Sequence, residues 1–162
     1  MPRFTPNPAK TQAAGFVVLP KDAYVFKLGK PKVFLRTKTD HKEGESENSY
    51  GLRYPLTVVG GPQDGQTIYF SCFQHTVGGE GIAKVFQMAV YGYDPNNKTD
   101  PTVEAAFNEL STELNWEFDT DTGYFGDGWG GMEGKHVACE VDVKLYRDKE
   151  NQVFNKWMVF AG

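Results

Sequence analysis

Apolar and polar residues alternate along most of this chain, and the period of the alternation changes in its middle. From residue 22 to 29, Tyr24, Phe26 and Leu28 fall on one face and Ala23, Val25 and Lys27 on the other, the two-residue period of a half-buried strand. Gly29 and Pro31 interrupt the pattern and residues 32–38 resume it, which predicts one long strand broken by a bend or bulge. TDHKEGESENS (39–49) has nothing to bury and reads as a loop. Tyr50, Leu52, Tyr54, Leu56 and Val58 mark a second strand over 50–60. The turn-rich GGPQDG (60–65) joins it to a third over 66–74, so that the three form a meander.

The middle of the chain is helical in period. Residues 80–91 space Ile82, Val85, Phe86 and Ala89 along one stripe, and Gly92 ends the helix. A second helix opens with Asp100 as N-cap, Pro101 at its first position and Glu104 in its first turns, and carries Val103, Ala106, Phe107, Leu110 and Leu114 on one side. Residues 119–135 hold six glycines in seventeen positions and read as a loop. Val137, Cys139, Val141, Val143 and Leu145 then alternate with polar neighbours in the clearest strand of the chain. A polar turn (Asp148 to Gln152) leads to a last strand over 153–160. The expected organisation is an extended N-terminal arm (1–15) and one domain (16–162). That domain is mainly β, with a helical, acidic insert at about 80–133 between its third and fourth strands.

Composition narrows the function. A 162-residue chain that is 40% hydrophobic supports one buried core, and no apolar run approaches the roughly 20 residues that cross a bilayer. MPRFTPNPAK lacks the apolar centre of a signal peptide, so a soluble cytoplasmic protein with no membrane partner is expected. Cys72 and Cys139 lie in predicted strands and read as buried thiols. The formal charge of -4 averages over two opposed segments. Residues 1–38 carry eight Lys/Arg against Asp22, and residues 94–133 carry ten acids against Lys98. Screening limits the reach of distant acids to about 8–10 Å, so a cationic face can still meet a polyanion.

Binding an unpaired polynucleotide needs cations against phosphate and flat rings under bases. Lys27, Lys30, Lys32, Arg36 and Lys38 lie on or beside the first strand. Strand parity turns Phe34, Arg53, Tyr69 and Phe73 outward if Leu52, Tyr54, Ile68 and Phe70 point in. Trp129, in GDGWGG, either plugs the core or stacks on a base, and is a further candidate. These ten residues make up the expected nucleic-acid-binding set.

Other chemistries are weaker. Cys72-x2-His75 and His136-x2-Cys139 mirror one another as zinc ligands would. Residues three apart on a strand face opposite sides, however, and core thiols are the better reading. No P-loop or nucleophile elbow occurs, and Asp119, Asp121 and Asp127 lack calcium-loop spacing, so neither an enzyme nor a cofactor is expected. The rival to nucleic-acid binding is a non-catalytic interaction or virion module that self-assembles through outer aromatics and its C-terminal strand.

Three meandering strands, a helical connection and a closing hairpin follow the layout of the five-stranded OB-fold barrel. KDAYVFKLGKPKV followed by TKTD, then LTVVGGPQDGQTIYFSCF, a helical middle ending in Trp116, and GKHVACEV with a late NQVFNKW resemble the small single-stranded DNA-binding proteins that phages encode in replication and recombination modules. The resemblance implies an OB-fold protein that coats single-stranded DNA in the host cytoplasm, alongside replication or recombination proteins and compatible with homo-oligomers. It does not extend to the flexible acidic tail of bacterial-type members, since this sequence ends NKWMVFAG.

Overall fold

The structure, a computed structural model, describes residues 18–37, 48–73, 77–97, 99–119 and 121–161, with backbone alone at 34–37, 48–50, 73 and 77–80. The two halves of the first predicted strand, β1 (Asp22–Leu28) and β2 (Lys32–Thr37), run antiparallel to one long partner, β3 (Asn48–Val58). Leu28 lies opposite Leu56 and Lys32 opposite Arg53, so Gly29, Lys30 and Pro31 face only Tyr54 and Pro55: the interruption is a bulge of one extra residue. Its position follows from Pro55, which has no N–H to give the ladder while its carbonyl still accepts from the Gly29 N–H at 2.9 Å. Glycine suits this close approach, because a Cβ at Gly29 would sit 2.6 Å from Pro55 Cγ.

After β3 come β4 (Thr67–Phe73), α1 (Val77–Val90), α2 (Pro101–Glu113), the single turn α3 (Asp127–Gly130), β5 (His136–Tyr146) and β6 (Lys149–Val159). β4 pairs with the free edge of β3, β5 with β1, and β6 with β5, all antiparallel, in one six-stranded sheet. Inward parity is as the alternation predicts: Phe26, Leu28, Leu52, Tyr54, Leu56, Val58, Ile68, Phe70, Cys72, Val137, Cys139 and Val141 are all buried. The helices lie between the third and fourth predicted strands. Among the described residues none is long and apolar enough to cross a membrane.

The sheet does not close into the expected barrel, because among the described residues no ladder joins β4 to β6. Side chains bridge the opening instead. The ring of Phe70 on β4 lies 4.7 Å from Trp157 and 5.0 Å from Phe154, both on β6, and Phe86 of α1 lies 4.8 Å from Phe70 and 4.7 Å from Trp157.

That opening also selects the buried side of α1. Phe86 and Ala89 are buried with Ala83 and Val90, whereas Ile82 and Val85, expected on the same stripe, are 57% and 38% exposed. The helix is apolar on more than one side, and the face carrying the ring that fits the opening goes inward. α2 begins as expected, with Asp100 Oδ1 accepting from the Thr102 N–H at 3.0 Å, and hydrogen bonds from the Thr102 hydroxyl and N–H hold the Asp100 carboxyl below its usual range. It is held by one buried ring, Phe107, against Tyr93 at 5.7 Å and by a 2.7 Å ion pair of Glu104 with Lys84.

Two expected loops hold more structure than their composition suggests. Residues 119–135 contain α3, and Phe118 bridges to Phe125 across the start of that segment. The last turn is two residues, not five: Tyr146 pairs with Lys149, and Arg147 and Asp148 take the positive φ values, 50° and 62°, of a tight hairpin.

Truncating Phe86 to Ala is expected to lower stability by about 3–5 kcal/mol in urea unfolding, as the ring spans three elements; a loss under about 1 kcal/mol would mean that ring packing does not hold the opening. Gly128→Ala is expected to cost about 1–3 kcal/mol by overpacking, because a Cβ there would lie 2.5 Å from the Trp116 ring.

Candidate nucleic-acid interface

Residues paired across an antiparallel ladder project to the same face, so the register assembles the outward surface row by row. One row runs Lys32, Arg53, Ser71 across β2, β3 and β4. The next holds Pro55 and Tyr69, with Lys30 exposed in the bulge beside it. A third runs Thr67, Thr57, Lys27, His136 across β4, β3, β1 and β5, with the Thr57 and Thr67 hydroxyls hydrogen-bonded at 2.9 Å. Lys27, Lys30, Lys32 and Arg53 are exposed, and the Tyr69 side chain is half exposed.

Parity therefore brings together Lys27, Lys32, Arg53 and Tyr69 as expected. The backbone sets Phe34 and Phe73 both opposite Gly51, and Arg36 opposite Ser49, but their side chains lie outside the described residues, as Lys38 does entirely. Trp129 does not join this surface and cannot stack on a base. It is fully buried, its Nε1–H donates to the Trp116 carbonyl at 2.7 Å, and its own carbonyl accepts from the Tyr54 hydroxyl at 2.8 Å. Trp116 Nε1–H in turn donates to the Ser111 carbonyl at 2.9 Å, so a chain of satisfied rings ties α3, the end of α2 and β3 together. The glycines around Trp129 let this plug pack closely and do not project it.

Sequence reasoning passed over one ring pair. His136 stacks on Phe160 with centroids 5.1 Å apart and planes at 29°, next to Lys27 in the third row, and Phe160 keeps 38% of its surface exposed. Applying outward parity to the last two predicted strands, as to the first three, would have found it.

The acids of the insert lie elsewhere, although Glu140 stands exposed on the outward face of β5 opposite Lys156. α1 and α3 pack on the inward face, with Phe86 and Trp129 both against Tyr54, so the acidic insert grows from the side of the sheet opposite the cations. A cleft of about 430 Å³ on that insert is lined by Trp116, Glu117, Phe118, Asp119 and Tyr124. Backbone N–H groups of Asp121 and Thr122 hold the Asp119 carboxyl below its usual range, so the cleft stays anionic and repels phosphate.

Cys72 and Cys139 are free and buried, and desolvation pushes both thiols up to about 12. His75 lies outside the described residues. Among the described residues no group of three or more His, Cys, Asp or Glu could hold a metal ion. A thiol with a pKa of about 12 is thiolate in only about one molecule in ten thousand at pH 8. Native protein is therefore expected to react slowly with an aromatic disulfide reagent, and both thiols to react promptly once guanidinium unfolds it; fast stoichiometric labelling of the native chain would contradict the buried assignment.

No protein-family model matches the chain, and no curated protein matches it either.

Proposed function

We propose that this chain binds single-stranded DNA with little sequence preference, using the outward face of β1–β4, and protects it during phage replication or recombination. One observation carries the reading: three successive outward rows hold the exposed Lys27, Lys32 and Arg53 and the half-exposed Tyr69, and none of the described residues paired in those rows is a carboxylate. The cations neutralise phosphates and release counterions, and the tyrosine supplies a platform that any base can use. The charge separation supports it, since a polyanion on this face meets the lysines while the acidic insert stands behind the sheet. Under this reading the sheet is an OB-fold with an open seam: β1 and β2 form its bulged first strand, β3 to β6 the other four, and β4 and β6 flank the seam.

A self-assembling module is the second reading, and one feature favours it. β1 pairs with β5 only as far as Val141, so the end of the β5–β6 ribbon stands beyond the sheet with Leu145 74% and Tyr146 64% exposed. Under that reading light scattering finds an oligomer that ignores salt and oligonucleotide, and Leu145→Lys dissolves it.

Fluorescence anisotropy with labelled oligo(dT) and oligo(dA) tests the first reading. Lys32→Ala and Arg53→Ala are expected to weaken both ligands equally and to flatten the log–log salt dependence by about 0.7 per lost phosphate contact. Tyr69→Ala is expected to cost about 1–3 kcal/mol with the salt slope kept. Normal binding by all three variants would overturn the proposal.

A further inference from the structure

The outward face continues past the rows that carry the proposed function. On the far side of β1 the third row reaches His136, whose imidazole is layered on Phe160. A layered ring pair covers one face of each ring and leaves a flat outer surface. Phe160 lies just beyond the last residue of β6 and keeps more than a third of its surface in water. Lys27 sits beside His136 in the register and supplies the cation next to the ring pair, whereas Lys156, four residues before Phe160 on the outward face of β6, stands opposite Glu140.

We infer that His136 and Phe160 form a second base-stacking platform, and that a bound single strand crosses the sheet from Tyr69 on β4, over Lys27 on β1, to Phe160 beyond β6. This inference rests on the single-strand-binding reading and extends it from a patch on β1–β4 to a path. From β4 to β6 the path crosses the β4–β3, β3–β1, β1–β5 and β5–β6 gaps. At about 4.8 Å per gap it spans about 19 Å, which a strand with bases about 3.4 Å apart covers with roughly six nucleotides. That length lies inside the range of about 4–16 nucleotides that one OB-fold occupies. The crossing direction also avoids the acidic insert, which packs on the other face.

The test uses the full chain and fluorescein-labelled (dT)12. Phe160→Ala and His136→Ala are each expected to weaken binding about fivefold or more, with the salt slope unchanged, because a ring and not a phosphate contact is lost. Phe160→Trp is expected to restore the affinity. Photocrosslinking of the unaltered protein to a (dT)12 carrying 5-iododeoxyuridine is expected to mark Tyr69 together with His136 or Phe160, and needs no variant to fold. Wild-type binding to (dT)12 with both alanine variants within twofold of it, or crosslinks confined to β2–β4, overturns the second platform and leaves the first reading standing. Absence of wild-type binding removes both.

Discussion

The meeting of Phe70, Phe86 and Trp157 is the interaction on which the rest of the molecule depends. It joins two ends of a sheet that no backbone ladder connects, and it seats the first helix over the opening. Because that helix is fixed on the inward side, the rest of the insert is carried there too: the second helix through Phe107 and the Lys84–Glu104 pair, and the single turn α3 through Trp129. Directional hydrogen bonds would have demanded close strands at that seam. Ring packing tolerates a wider gap and still excludes water from it.

A consequence of this arrangement is that charge of opposite sign is sorted by the sheet itself. Strand alternation sends lysine and arginine outward from β1, β2 and β3, while the ten acids of 94–133 ride on an insert anchored to the inward side, and Glu140 on β5 is an outward exception. The chain's modest net charge therefore conceals a cationic surface backed by an anionic one. Ligand attraction depends on the near surface far more than on the total, since mobile ions screen the distant half.

Much of this was legible from residue order alone, and the parts that were not share a physical cause. Alternation identified the inward residues of β1, β3, β4 and β5, and the Asp100–Pro101 pair located the start of α2, because burial periodicity and capping act over a few residues. The bulge was visible as Gly29 and Pro31, although Pro55, its partner across the ladder, was not. Long-range choices escaped the reading. Which side of α1 would be buried depended on an opening between β4 and β6 that lie far apart in sequence, so Ile82 and Val85 were placed wrongly. Trp129 sat among glycines that read as a loop, and three of them, Gly126, Gly128 and Gly131, proved to be close-packing positions. The two-residue turn at Arg147 and Asp148 carries no glycine to announce it. On the candidate surface, parity located Lys27, Lys32, Arg53 and Tyr69. It stopped short of His136 and Phe160, because outward parity was worked out for the first three predicted strands and not for the last two, which contain them.

The indole rings carry a practical corollary. Trp129 and Trp157 are 0% and 4% exposed, and Trp116 is partly buried with its N–H satisfied by a backbone carbonyl. All three belong to the interior or to the insert behind the sheet, on the side opposite to Lys32, Arg53 and Tyr69. Intrinsic emission from this protein is thus a gauge of whether the seam and the plug are intact, and an occupied outer surface can leave it dark to the event.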